Sequence, residues 1–251
     1  MAGRGTAGGT TGRRPVSLAR YLRHTDAWEL LPDGVAIGSD GPVHSCHIVS
    51  RAPLDNLDGA VVALSEASRS TTLLARILLE DAVGVRPVYR SVPQNLDDML
   101  DIADAAVLIG DEALRLHARP RGLRIQDTGA LWRGWTGLPM VFAVWVVRRE
   151  VAREHPLAVR ALAASLTDAA ERAGAHPEAV ARAAAAESAR SPGGRLSEQV
   201  LVDYYRVLDY SLGDRQLAAM SEFRRRAAAR GELTEERSLH PATPPVPGGR
   251  S

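Results

Sequence analysis

Residues 105–111 have the sequence Ala105-Ala106-Val107-Leu108-Ile109-Gly110-Asp111, which indicates the fold class. Five consecutive apolar residues that end at a glycine are typical of a strand covered on both faces, as the strands of a parallel sheet are. Residues 60–64 form a similar run, and residues 73–78 follow with leucine and isoleucine at helical spacing. A short helix is predicted at residues 96–102. This alternation predicts an α/β fold with a mostly parallel sheet covered by helices.

Further strands are predicted from apolar runs at residues 35–37, 43–49, 86–89 and 138–147. From Pro156 to Arg230 the pattern is helical. Pro156 suits a first helical position, Ser197 an N-cap, and Gly231 the position just after a helix end. An apolar stripe at Leu201, Tyr204, Tyr205 and Leu208 has helical spacing and is interpreted as core rather than as a ligand site.

The order of these elements predicts two lobes. One lobe would contain residues 51–139, and the other would combine residues 15–50 with residues 140–235. Strands at residues 43–50 and 141–148 would cross between the lobes as a hinge. A cleft between two lobes is a common place for a ligand.

Composition excludes several classes of protein. The 251 residues are 45% hydrophobic and 24% charged, which is typical of an ordinary globular protein. A net charge of +1 gives no field that would attract nucleic acid or a membrane surface. The single cysteine, Cys46, excludes an internal disulfide and fits a reducing compartment, so we expect a cytoplasmic protein. Residues 1–14 and 236–251 are expected to be disordered, or in the first case a mis-assigned start.

The strongest local signal is Ser65-Glu66-Ala67-Ser68-Arg69-Ser70-Thr71-Thr72, which lies between a strand and a helix. A helix N-terminus presents unpaired N–H groups, and hydroxyls add donors without adding charge. This combination suits a carboxylate or phosphate. The alternative is that one hydroxyl caps the helix and the others are solvated.

A second signal is Gly110-Asp111, because open α/β folds bind ligands beyond the carboxyl ends of their strands. The Asp111 side chain alternatively caps the helix that follows. His44-Ser45-Cys46-His47 resembles a metal cluster, but on a strand His44 and Cys46 would share one face and His47 the other. We therefore predict no metal site there, and no cofactor-binding motif is present elsewhere.

Several segments in order carry a family resemblance: residues 37–45, Ser68-Arg69-Ser70-Thr71, and residues 106–111, 135–145 and 212–223. Over residues 15–233 the chain resembles chorismate dehydratase of the futalosine route to menaquinone. The resemblance implies a two-lobed, periplasmic-binding-protein-like fold of type II with two hinge strands. It also implies a carbon–oxygen lyase without cofactor, metal, nucleic-acid or membrane partner, which converts chorismate to 3-[(1-carboxyvinyl)oxy]benzoate. It assigns no catalytic residue, and the expected substrate-binding residues are Ser45, Ser68, Ser70, Thr71, Gly110 and Asp111.

The chain departs from the family at its beginning. Family members have two strand–helix units, with an Asn-rich loop, before the segment that residues 15–22 resemble, and residues 1–14 stand in their place. The resemblance thus implies an incomplete first lobe with uncovered apolar faces, and a chain that is inactive or nearly so as written. The alternatives are a non-catalytic solute-binding protein, the sister dihydroxynaphthoate synthase, and a remnant without activity.

Overall fold

The computed structural model describes residues 15–189, 193–234 and 239. These residues form the strands β1 (Val16–Ser17), β2 (Trp28–Leu30), β3 (Ala36–Ser39), β4 (Cys46–Ser50), β5 (Val61–Ser65), β6 (Val88–Val92), β7 (Ala105–Ile109), β8 (Arg124–Asp127), β9 (Met140–Val144) and β10 (Val146–Arg148). They also form the helices α1 (Leu18–Arg23), α2 (Arg69–Ile77), α3 (Leu96–Ile102), α4 (Gly110–Ala118), α5 (Thr128–Thr136), α6 (Arg149–Glu154), α7 (Pro156–Ala175), α8 (Pro177–Ser188), α9 (Glu198–Val207) and α10 (Asp214–Ala228).

The larger sheet has five strands in the order β6-β5-β7-β4-β8. β5 is parallel to both β6 and β7, whereas β4 is antiparallel to β7 and β8. β4 and nearly all of β7 are buried because helices cover both faces of the sheet. The strands predicted from the two apolar runs at residues 60–64 and 105–109 are therefore confirmed.

Two predicted strands differ in the structure. The strand predicted from residue 43 begins only at Cys46, because His44 has a left-handed backbone with φ 61°. The N–H groups of Val43 and His44 donate to the Asp127 carboxylate instead of to a neighbouring strand. The apolar run at residues 138–147 is divided at Trp145 into β9 and β10, which pair with different strands.

β9 is the centre of a three-stranded sheet, in which it pairs with β1 and β3, and β10 forms a separate pair with β2. The chain passes to the larger sheet between β3 and β4, and it returns through α5 to β9. The first predicted hinge strand thus lies within the larger sheet as β4, whereas the second is divided between β9 and β10, which belong to different sheets. The chain crosses between the sheets just before each of them. The division into lobes at residues 51 and 139 stays a prediction.

α2 supplies side chains to two cores. Leu73, Leu74 and Ile77 pack with residues of α1, β9 and α10, whereas Ala75 packs against the larger sheet. The sequence predicts uncovered apolar faces on the incomplete lobe. That expectation is wrong for the apolar residues of α1, which are at most 3% exposed because α2, α5 and α10 pack over them.

The predictions for the termini fall almost entirely outside the described residues. Residues 1–14 are not described, and within the predicted tail the described residue is Leu239. Leu239 is buried in the same core as α1 and α10.

Candidate functional site

Four strand ends of the larger sheet meet at one edge. β5 and β7 are parallel, so their last residues, Ser65 and Ile109, lie at the same edge. Cys46 begins the antiparallel β4 and pairs with Ile109, and the next residue pairs with Asp127 at the end of β8. The structure brings to this edge the predicted positions Ser45, Ser68, Ser70, Thr71, Gly110 and Asp111. Substrate binding by these residues stays a prediction.

The N-terminus of α2 begins with a side-chain cap. The Ser68 hydroxyl accepts a hydrogen bond from the Thr71 N–H at 3.3 Å, and it donates to the Thr71 hydroxyl at 3.2 Å. Ser68 has an extended backbone, as an N-cap residue requires. One hydroxyl therefore caps this helix, as the alternative interpretation of the sequence proposed.

The other hydroxyls of the segment are not simply solvated. Ser70 and Thr71 are 2% and 3% exposed, and the Ser70 hydroxyl accepts a hydrogen bond from the Ala19 N–H in the first turn of α1 at 2.9 Å. A hydroxyl that accepts one hydrogen bond keeps its own proton for a second partner. Buried neutral donors thus lie where α1 and α2 begin.

A polar contact chain extends from this helix to α9. The Thr71 hydroxyl lies 3.7 Å from the Cys46 thiol, and the Ser45 side chain interacts with both Cys46 and Tyr204. Burial raises the pKa of the Cys46 thiol to about 12, and burial likewise raises the pKa of Tyr204 to about 12. Both groups therefore keep their protons at neutral pH, and Cys46 has no thiolate with which to act as a nucleophile.

Gly110 and Asp111 have different environments. Gly110 has a left-handed backbone with φ 66°, and its N–H donates to the Ser45 carbonyl oxygen at 2.8 Å. Asp111 lies in the first turn of α4, where its carboxylate is 3.7 Å from the Arg115 guanidinium. The interpretation of Asp111 as the helix cap is wrong, because α4 begins before it and no side chain caps this helix.

Asp127 joins the two ends of this site through both of its carboxylate oxygens. Oδ1 accepts from the N–H groups of Gly129 and Ala130 at 2.9 and 3.0 Å, which caps α5. Oδ2 accepts from the His44 N–H at 2.7 Å, and both oxygens lie 3.0 Å from the Val43 nitrogen. The turn that precedes Ser45 is therefore held by a carboxylate 83 to 84 positions away in sequence.

Three imidazoles stack beside this turn. The ring of His117 is parallel to those of His44 and His47, with centroid distances of 4.2 and 5.5 Å. The prediction that His44 and His47 lie on opposite strand faces is wrong, because the left-handed backbone of His44 breaks the alternation. Parallel rings cannot direct their nitrogen lone pairs at one ion, and the described residues contain no group of three or more candidate metal ligands.

His47 is the most deeply buried of the three. Its side chain is fully buried, neither ring nitrogen makes a hydrogen bond of normal geometry to a described residue, and Nδ1 lies 3.8 Å from Asp127 Oδ2. Burial lowers the pKa of His47 from 6.5 to about 4, although the Asp127 carboxylate opposes the shift. Burial and the neighbouring His117 also lower the pKa of His44. His44 and His47 are therefore neutral at pH 7.

Sequence analysis missed three residues of this site. Gln94 exchanges two hydrogen bonds with the backbone of Ile109 and so fixes the end of β7. Asp127 precedes Thr128-Gly129, a pattern typical of a helix cap, which could have drawn attention to it. Tyr204 was assigned to the core with its stripe, and no sequence signal separates it from Leu201.

Comparison with known proteins identifies the family. The profile of the family described as menaquinone biosynthesis matches residues 8–229, which is most of the chain. The chain belongs to this family. It is similar to the chorismate dehydratase of Thermus thermophilus, with 34% identity over 157 residues, 57% of this chain and 56% of that protein. It thus spans just over half the length of that curated relative.

The chain is also similar to a protein named 1,4-dihydroxy-6-naphtoate synthase. That Thermus thermophilus protein is 27% identical over 229 residues, which cover 88% of this chain and 78% of the relative. A solved Candida albicans structure described as having the generic periplasmic binding protein fold is similar with a TM-score of 0.57 and 9% identity, over 88% of this chain and 72% of that one. This likeness confirms the predicted fold. None of the described helices is long and apolar enough to cross a membrane.

Proposed function

We propose that this chain binds chorismate at the carboxyl edge of the larger sheet and removes water from it to give 3-[(1-carboxyvinyl)oxy]benzoate in menaquinone biosynthesis. The observation that carries the proposal is the pair of buried, neutral hydroxyls of Ser70 and Thr71 at the start of α2, where the Thr71 hydroxyl lies 3.7 Å from the Cys46 thiol. We place the enzyme in the cytoplasm, as a carbon–oxygen lyase without a cofactor.

The residues of the site would have different roles in binding chorismate. Chorismate carries two carboxylates, and hydroxyls with N–H groups at a helix start stabilise one carboxylate without a neutralising cation. Ser68, Ser70 and Thr71 would hold one carboxylate, and Ser45 would donate to the ligand from β4. Gly110 would contribute its left-handed backbone, since no described atom beyond its chain neighbours and its own helix backbone lies within 4 Å of the position where a side chain would begin.

The reaction itself makes small demands on the protein. The carbon–oxygen bond of the ring hydroxyl breaks, a ring C–H proton leaves, and the two depart as water while the ring becomes aromatic. Aromatisation supplies the driving force, so positioning of the substrate and one proton acceptor suffice. We propose that the side-chain carboxylate of chorismate takes the ring proton, because the thiol and phenol of the site stay protonated.

The test uses the purified 251-residue chain, and it decides between this proposal and the expectation from the family resemblance that the chain is inactive or nearly so as written. Chorismate is titrated by calorimetry, and its consumption is followed with the product identified by mass spectrometry and NMR. Binding with formation of the aromatic product would support the whole proposal. Binding without turnover would refute the catalytic part for this chain and favour a non-catalytic solute-binding protein. Absence of binding would refute both.

The sister activity is the second candidate. The 1,4-dihydroxy-6-naphtoate synthase matches 88% of this chain, a larger share than the 57% matched by the dehydratase, although at lower identity. A chain that leaves chorismate unchanged and yields 1,4-dihydroxy-6-naphthoate from extracts of menaquinone-producing cells would favour this candidate.

A further inference from the structure

Ser45 occupies a segment whose backbone is fixed at both ends. Its own carbonyl oxygen accepts from the Gly110 N–H at 2.8 Å, and the following carbonyl, of Cys46, accepts from the buried Thr128 hydroxyl at 3.1 Å. On the other side, the His44 N–H donates to Asp127 Oδ2 at 2.7 Å. The junction of β8 and α5 therefore holds the residues on both sides of Ser45.

His44 adopts a conformation that its residue type disfavours. A φ of 61° brings the Cβ atom of a non-glycine residue close to its own backbone, and such a residue needs support from its surroundings. The support visible here is the Asp127 carboxylate, which accepts from the N–H groups of both Val43 and His44. Without that acceptor, two N–H groups at a largely buried turn would lose their partner.

The Asp127 carboxylate does more than a helix cap requires. A cap needs one side-chain oxygen, and Oδ1 supplies it by accepting from Gly129 and Ala130. Oδ2 makes its shortest bond to His44, which is remote in sequence and adjacent to Ser45. The bond to His44 therefore uses an oxygen that the cap does not use, whereas the Val43 nitrogen lies 3.0 Å from both oxygens. A substitution can thus remove the acceptor of the His44 N–H and keep an oxygen for the cap.

We propose, resting on the proposed function, that Asp127 is a positioning residue, which holds residues 43–44 in a left-handed turn and thereby aims the Ser45 hydroxyl at a carboxylate of chorismate. Asp127 does not itself touch the substrate. Its effect on binding passes through the backbone of His44, so a change at position 44 that favours the same turn should replace it.

The decisive variants are Asp127→Asn and its combination with His44→Gly. The asparagine keeps an oxygen for the α5 cap and presents an NH₂ group, which cannot accept, to the His44 N–H. Glycine adopts positive φ without strain, so it should form the turn without the carboxylate. Asp104→Asn is the matched control, because Asp104 also accepts a backbone N–H, from Val61 at 2.9 Å, at the opposite edge of the same sheet.

The measurement is the dissociation constant of chorismate by calorimetry, with KM and kcat from turnover. Asp127→Asn should raise the dissociation constant and KM about tenfold, the effect of one hydrogen bond to a charged group, with kcat within about threefold. His44→Gly alone is measured as the reference for the double variant, and Asp104→Asn should stay within about twofold of the unchanged protein. The double variant should return to within about threefold, which a cap defect in α5 would not allow.

Three results would overturn the role of Asp127 while the proposed function stands. The first is that Asp127→Asn binds chorismate as tightly as the unchanged protein. The second is that the double variant binds chorismate as weakly as Asp127→Asn alone. The third is that neither Asp127→Asn nor the double variant folds. The last would show that Asp127 serves the helix cap. An unchanged protein that binds no chorismate would instead refute the proposed function, and this role with it.

Discussion

Acidification should destabilise this protein through His47 before the carboxylates titrate. The folded-state pKa of about 4 lies below the ordinary value of 6.5, so the unfolded chain takes up the proton first as the pH falls. Burial of the neutral His47 imidazole therefore costs no free energy of unfolding above pH 6.5, and the free energy of unfolding decreases as the pH falls from 6.5 toward 4. At about 1.4 kcal/mol for each unit of pKa, the loss approaches about 3 kcal/mol, and it is about 2 kcal/mol at pH 5.

Urea unfolding at pH 7.5 and at pH 5 measures this loss, since the carboxylates with lowered pKa values stay ionised in that range. His47→Leu removes the titrating group and keeps an apolar side chain in β4, so it should lose about 2 kcal/mol less than the unchanged protein between the two pH values. His155→Gln, which removes an exposed imidazole, is the control and should keep the full loss. An equal loss in His47→Leu and in the unchanged protein would refute this reasoning.

Three further predictions concern packing, binding and metals. Gly129→Ala should lower the free energy of unfolding by about 1–3 kcal/mol, because the added carbon would lie 2.5 Å from a backbone oxygen. Gly134→Ala in the same helix places its added carbon where no neighbouring described atom lies within 4 Å, so it should raise the free energy of unfolding by about 0.5–1 kcal/mol. Melting temperatures that shift in the same direction in both variants would contradict this. Ser70→Ala combined with Thr71→Ala should weaken chorismate binding by about 1–3 kcal/mol in calorimetry. Thr72→Ala, whose hydroxyl donates to the Arg69 carbonyl within α2, should leave binding unchanged. Turnover should survive treatment with EDTA, and a rate that EDTA removes and zinc restores would count against the site as described.

The predicted sheet is mostly parallel, whereas β4 is antiparallel to both of its neighbours. The sequence predicts β5 and β7 well because these two strands are buried on both faces. Such strands are continuous apolar runs, and the runs at residues 60–64 and 105–109 lie within one position of β5 and β7. The packing of α2 could not be read in the same way. Helical spacing indicates which side chains share a face, but Leu74 and Ala75 belong to different cores because two sheets approach the helix from different sides.

Only part of the site could be predicted from the local sequence. Ser68 as a helix cap follows from local sequence, because the Ser68 hydroxyl and the Thr71 N–H that donates to it are three residues apart. The turn at His44 does not, since its left-handed backbone depends on a carboxylate more than eighty residues away, and no local pattern reports that acceptor. The prediction of a regular strand at His44 has two consequences. It gives no indication that His44 and His47 stack on His117, and it gives no indication that Asp127 holds the backbone next to Ser45. A residue whose conformation is imposed by a remote side chain is thus where a local rule fails, and here that residue is adjacent to the proposed substrate contact.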